Sequence, residues 1–375
     1  MRKYKSNLII LIVTVLAFLF LVGWTQFNFA QINKLLPPQE IKRIEFAEQP
    51  SGQVKGVFVG DIMLSRKVGR YMEERGNAYP FARITDYLQA GDFTVGNLET
   101  AISDRGQPLP GKGIWFRSVP ESAQVLQDVG FDLVSLANNH VLDYDTEGLL
   151  DTIYHLNEAG VLSVGAGENI EEAVKPVIIE QNGVKIGILA FLDTYMSDIF
   201  FSHSYKRMFK AEETIAGVAP MHEELMLEAV RKLRPEVDIV IVSLHWGVEY
   251  ADYPISAQRE LAHKLVENGV DFVHGHHPHC IQGIEIYQEA VIAYSLGNFI
   301  FDQNQMQKTM EGLLLEITFS SLGVAEAQIV PVMIVNGQAF PAKNVDAARI
   351  LVKLQRLSSG YANIVIEGEK AKITR

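Results

Sequence analysis

The chain reads as an α/β protein, and three observations carry that reading. Short runs rich in Val, Ile, Leu and Phe recur from about residue 54 to residue 300, each succeeded by a polar turn and then by a helical pattern. Polar or charged residues, several beside glycine, stand directly after the apolar runs. With 375 residues, 48% hydrophobic and 21% charged, the chain has material for one large α/β domain or two smaller ones, and global disorder is excluded.

A different segment precedes the alternation. Arg2, Lys3 and Lys5 flank an uncharged run over 8–24. As a helix that run reaches about 26 Å, enough to cross the hydrocarbon layer with Trp24 at the interface. The basic flank predicts a cytoplasmic tip at 1–7, a transmembrane anchor at 8–24 and an extracytoplasmic remainder, hence a single-pass cell-membrane protein. A cleaved signal peptide is the competing reading, but a cut after Ala30 would put Asn28 where a small residue is wanted. Residues 25–53 carry Pro37, Pro38, Pro50 and Gly52 and no sustained period, so they read as a stalk.

The strand candidates are 54–59, 93–95, 133–136, 186–191, 239–244, 270–273 and 291–296. Helix candidates lie between them at 121–129, 148–159, 222–234 and 257–268. In the second, Leu149, Ile153 and Leu156 share a face at i, i+4 and i+7. Farther on, 313–319 and 327–333 predict a strand pair that completes a main domain at 54–336. Ile350, Leu351, Leu354 and Leu357 then predict a closing helix, and Glu367-Gly368 a final hairpin, within 337–375.

The balance of 33 Lys+Arg against 45 Asp+Glu gives a net charge of minus 12, which argues against a protein that grips nucleic acid. A bound polyanion therefore needs a local positive site or a metal. Cys280 is the single cysteine, so neither an internal disulfide nor a cysteine zinc site is available; it reads as a small buried residue.

The residues just past each apolar run are more informative. The sequence places Gly60-Asp61, Gly96-Asn97-Leu98-Glu99, Ala137-Asn138-Asn139-His140, His245-Trp246-Gly247, His274 through His279, and Gly297-Asn298-Phe299 at successive strand ends. In α/β sheets these ends gather at one edge, where ligands sit. Taken singly, each residue is more readily a cap or a satisfied polar group. Four histidines within six positions, out of ten in the chain, have no generic structural role beyond an accidental surface tract. Joined with Asp61, Asn139 and His245, they point to a divalent metal. Imidazole, carboxylate and amide oxygen without thiolate suit Mn, Zn or Fe.

The ordered motifs GD-IML, GNLE, ANNHVLD, HWG, GHHPH and SLGNFIFDQ resemble the bacterial capsule-synthesis CapA family, associated with poly-γ-glutamate production and related to the calcineurin-like metallophosphatases. The likeness runs from about residue 54 to 302. It implies a four-layer α/β/β/α sandwich of two mixed sheets with the site at one edge. It implies Asp61, Asn139, His245, His277 and His279 as ligands of one or two cations, and His140 as the group that protonates a leaving oxygen. Three positions depart from the phosphatase pattern. Met63 stands where a His ligand is expected, Asn97 where a bridging carboxylate is expected, and Val141 where an acidic residue often comes next. Glu99 reaching in as a ligand, or Asn97 binding through its carbonyl, are the two ways to fill the second gap. A dinuclear hydrolase, a single-metal site and a binding-only site all stay open.

Residues 112–117, KGIWFR, combine two cations with Trp115 and Phe116, and between residues 65 and 117 eight basic residues outnumber six acidic ones. Asn97, Arg66, Lys112, Phe116 and Arg117 are accordingly the candidate contacts to an anionic polymer; the competing reading of 112–117 is a surface loop with an aromatic anchor. The stretch 193–208 lacks a period and carries Tyr195, Phe200, Phe201 and Tyr205. It reads as a lid, as a contact to membrane subunits of a polymer synthase, or as a loop packed on its own aromatics. The expected function is a membrane-anchored accessory of poly-γ-glutamate or similar capsule-polymer synthesis or export. The alternative is a metal-dependent hydrolase of envelope phosphoesters or amides. A purely structural wall protein leaves the strand-end motifs unexplained.

Overall fold

Two mixed β-sheets face each other across a shared apolar core. The computed structural model describes residues 42–45, 52–194 and 208–374. The first sheet has seven strands, in the order Lys42–Glu45, Val177–Gln181, Val184–Leu192, Ile239–His245, Phe272–His276, Ala290–Ala293, Ile284–Tyr287. Its centre, from Val184–Leu192 to Ala290–Ala293, is parallel. The second sheet is built around Gln53–Ile62. On one side lie the parallel strands Phe93–Leu98, Leu133–Ser135 and Leu162–Val164. On the other lie the antiparallel strands Glu311–Ser320, Gly323–Val335, Lys370–Thr374 and Asn363–Glu367. Asn298–Ile300 runs parallel to the end of Gln53–Ile62.

The strand sequences explain the layering. A strand covered on both faces reads as a continuous apolar run, and successive side chains point to opposite sides. In Val184–Leu192, Ile186, Ile188, Ala190 and Leu192 join the core between the sheets. Gly187 faces the other way, where an added Cβ would lie 2.8 Å from Leu233 of the helix Glu223–Leu233. Phe58 crosses the gap between the sheets and meets Phe272 edge-on at 4.8 Å. Burying one such side chain contributes roughly 1.5–3 kcal/mol. The helix Asn344–Leu357 buries Ile350, Leu351, Leu354 and Leu357, the stripe visible in the sequence.

Lys42–Glu45, inside the expected stalk, forms an edge strand parallel to Val177–Gln181, too short for alternation to show in sequence. Residues 337–375 extend the second sheet through Asn363–Glu367 and Lys370–Thr374, and Glu40–Arg375 forms one unit. The expected anchor at 8–24 lies outside the described residues, as do residues 195–207 of the aromatic stretch. Among the described residues no helix is long and apolar enough to cross a membrane.

Candidate metal centre

Parallel strands of both sheets end at one edge and deliver their polar residues together. Strand register sets Asp61 beside Asn97 and Asn298, and His245 beside His276. The approach is close: a Cβ on Gly60 would fall 1.8 Å from the Gly297 carbonyl oxygen, and one on Gly275 would fall 2.0 Å from that of Tyr294. Beyond the strand Phe272–His276, His277 and His279 adopt φ of 95° and 54°, a conformation that non-glycine residues seldom take. The His277 backbone N–H donates to Asp61 Oδ2 at 3.4 Å and helps to hold that turn. Strain of this kind collects at functional sites.

Two ligand-like clusters result. In one, His279 Nδ1 lies 2.9 Å from Asn298 Oδ1 and 3.3 Å from Asp61 Oδ2, and its Nε2 lies 3.7 Å from Glu99 Oε1. In the other, His245 Nε2 lies 3.1 Å from Asn139 Oδ1 and 3.0 Å from His277 Nδ1. Two donors each about 2.1 Å from one ion, at right angles, would be about 3 Å apart. Asp61, Glu99 and His245 each offer a ligand atom within 4.8 Å of the others, so the clusters adjoin. Asn97 stands between them. Its Nδ2 donates to Asp61 Oδ1 at 2.8 Å and faces Glu99 Oε2 at 3.4 Å and His245 Nδ1 at 3.3 Å.

The electrostatics fit a cation. Asp61 and Glu99 are fully buried, and Glu99 Oε1 has no hydrogen-bond partner, a costly state for a carboxylate oxygen. Burial pushes the Glu99 carboxyl well above its ordinary range. Burial also acts to raise Asp61, but hydrogen bonds and charge from His276 and His279 outweigh it and hold Asp61 well below that range. Burial disfavours a charged His279, yet Glu99 and Asp61 prevail and push it up to about 9. His245 is driven well below its usual value, mainly by burial, and His277 down to about 3 for the same reason. Both therefore offer neutral imidazole lone pairs. Oxygen and imidazole donors around an unsatisfied buried carboxylate match a divalent first-row cation.

His140 borders this centre. Its Nδ1 lies 2.7 Å from Asp143 Oδ2, its ring stacks on Phe116 at 3.8 Å, and its Nε2 lies 4.0 Å from Glu99 Oε1. An Nδ1–H that donates to Asp143 leaves Nε2 free toward the centre. Burial lowers His140 to about 4. Asp143 also accepts the Phe116 N–H and pairs with Lys112, whose ammonium donates to the Asn139 carbonyl. The Lys112 side chain and Phe116 are thus buried against His140 and Asn139. Arg66 stands at the rim, with its guanidinium 4.7 Å from the Phe116 ring centre and paired with Asp302. Arg117 is exposed and lies over Tyr144 at 4.1 Å, outside the cluster.

Several contributors were not singled out from sequence. Asn138 donates to Asn97 Oδ1 at 3.1 Å and to the Leu98 carbonyl at 2.8 Å, which fixes the Asn97 amide. His276 Nδ1 faces Asp61 Oδ1 at 3.5 Å, and Asn298 holds His279. All three lie inside the strand-end motifs. Asp143, three residues beyond His140, closes ANNHVLD. Met63 is buried, and its sulfur accepts the Ser65 N–H at 3.2 Å. Cys280 is buried, and burial pushes its thiol up to about 11.

Facing mixed sheets whose strand ends close around buried carboxylates and imidazoles define an α/β protein with a candidate metal centre. The chain belongs to the bacterial capsule synthesis protein PGA_cap family, whose model matches residues 55–303. It is 31% identical over 319 residues to the PGA biosynthesis protein CapA of Bacillus subtilis, covering 84% of this chain and 80% of that relative. It is 31% identical over 310 residues to the capsule biosynthesis protein CapA of Bacillus anthracis, covering 80% and 73%. Among solved structures, a putative 5'-nucleotidase from Staphylococcus aureus aligns over 81% of this chain and 58% of its own, with 12% identity and a TM-score of 0.42, too distant to carry an argument.

Proposed function

We propose that the chain is a membrane-anchored, extracytoplasmic accessory of the synthesis or export of poly-γ-glutamate or a similar anionic capsule polymer. Its centre holds one or two divalent cations, Mn, Zn or Fe, and binds or processes the polymer there. The observation that carries this reading is the meeting of two ligand clusters beside a buried Glu99 Oε1 that has no hydrogen-bond partner. Asp61, Glu99 and His279 would hold one cation, and Asn139, His245 and His277 a second. The chemistry such an ion supplies is Lewis acidity toward a carbonyl or phosphoryl oxygen. The names of the Bacillus relatives support the capsule role. The uncharged run at 8–24 behind its basic flank supports the anchor, and through it a contact with membrane subunits of a synthase. The four-layer metallophosphatase-like architecture belongs to the same reading and is supported by the two facing mixed sheets.

One observation favours a second reading, a metal-dependent hydrolase of envelope phosphoesters or amides. His140 is held by Asp143 with Nε2 toward the centre, the arrangement that proton transfer to a leaving group needs. Complementation separates the two. In a strain lacking the gene, surface polymer is measured after return of the native chain, an Asp61→Asn plus His279→Ala variant, or His140→Ala. The proposal expects no recovery with the first variant. Recovery with His140→Ala supports the accessory role. Failure of that variant, together with Mn- or Zn-dependent cleavage of an aryl phosphate that His140→Ala abolishes, supports the hydrolase. Full recovery with the ligand double variant overturns both readings.

A further inference from the structure

We propose that a basic groove along the helix Arg66–Arg75 is the docking subsite that receives an extended polycarboxylate chain and leads it to the metal centre. The inference rests on the function proposed above for the identity of that chain; the groove itself is read from the structure. Two adjoining cavities of about 410 and 500 Å³ share Lys67, Arg70 and Asp302. Amide donors from Gln303, Asn304 and Asn336 line the first. The groove abuts the centre at two points. Phe301, in its wall, lies 4.8 Å from the His279 ring, and Gln303 Oε1 accepts from Asn298, which positions His279.

The acidic groups in the groove are Asp302 and Glu74. Asp302 is already engaged by the Arg66 guanidinium and the Lys67 backbone N–H. Lys67 and Arg70 are exposed and make no ion pair among the described residues. A solvated helix face is the plainer account of two such cations, but their placement opposes it. Helix N-termini favour acidic side chains, and this first turn has none. Arg66 also sits at φ 52°, an unusual conformation for a long side chain. In a protein of net charge minus 12, exposed cations gathered along this groove give it a local charge complementary to an anion. Residues four apart on a helix have Cβ atoms about 5–6 Å apart. A γ-linked glutamate unit has two more backbone carbons than an extended α-peptide unit, which advances about 3.3–3.6 Å, so neighbouring carboxylates come within reach of successive cations.

The test is fluorescence anisotropy with labelled poly-γ-glutamate and the full chain in detergent at low salt. Lys67→Glu/Arg70→Glu should weaken binding at least tenfold, and the milder Lys67→Gln/Arg70→Gln should fall between it and the native chain. A charge-matched control outside the groove lining, Lys343→Glu/Lys372→Glu, should change affinity less than twofold. Equal affinity of the groove variant and the control would overturn the groove while leaving the proposed function standing. Absence of binding by the native chain would overturn both. Inorganic polyphosphate that displaces the labelled chain at lower charge concentration than unlabelled poly-γ-glutamate would overturn the assignment to carboxylates.

Discussion

His279 bridges two buried carboxylates, with Nδ1 3.3 Å from Asp61 Oδ2 and Nε2 3.7 Å from Glu99 Oε1. The three groups come from two different sheets, so one ring ties the sheets together at the edge where the strand ends meet. Its proton supplies positive charge at the place where a divalent cation fits.

That proton sets a pH dependence. His279 is raised to about 9 in the folded chain, above the ordinary imidazole value near 6.5. Its stabilising contribution is therefore fully present below about pH 6.5 and lost as pH rises through about 9. The metal-free protein should melt at lower temperature at pH 9.5 than at pH 7. Apparent cation affinity should rise over the same interval, with proton release visible as buffer-dependent heat in calorimetry. A pH-independent affinity from pH 7 to 9.5 would refute this account.

Asn97→Asp should strengthen cation binding tenfold or more and should lower the stability of the metal-free chain. The amide now donates at 2.8 Å to Asp61 Oδ1. An aspartate there adds a third buried carboxylate with nothing to offset it until a cation arrives. Thermal melts with and without chelator measure both effects; weaker cation binding by the variant would contradict the role given to Asn97.

Asp143→Ala should destabilise the fold by about 3–5 kcal/mol, because it removes the carboxylate that pairs with the buried Lys112 ammonium. Adding Lys112→Met should recover a large part of that loss. Urea denaturation of the single and double variants gives the coupling energy, and strict additivity would mean that the pair carries no such weight.

Gly275→Ala should prevent normal folding or lower stability by more than about 3 kcal/mol, since the new Cβ would lie 2.0 Å from the Tyr294 carbonyl oxygen. Gly69→Ala, within the helix Arg66–Arg75, meets only the Leu64 carbonyl oxygen at 3.4 Å and should change stability by less than about 1 kcal/mol. Denaturation midpoints of the two variants check the contrast.

The fold class and the strand-end residues were legible because a parallel strand covered on both faces is mostly apolar, so polar residues and glycines at the close of each run mark where it nears the sheet edge. Asp61, Glu99, Asn139, His245, His277 and His279 all emerged from that pattern or from the motifs around it. Asp143 did not, because its part depends on Lys112, 31 residues earlier, folding over it. Asn298 and His276 lay in plain view within their motifs, but only the cross-sheet approach of His279 and Asp61 gives them partners. Lys112 and Phe116 looked like surface contacts because a basic, aromatic stretch does not reveal which side of it turns inward. The strand Lys42–Glu45 is defined by its pairing with Val177–Gln181, a relation that four residues cannot announce.

The most direct test is elemental analysis of the full chain purified without a polyhistidine tag, before and after dialysis against Mn, Zn or Fe(II). One or two equivalents of a divalent metal in the native chain, lost in the Asp61→Asn plus His279→Ala variant, is the predicted result. A folded native chain that carries no metal and takes up none of the three would contradict the central claim.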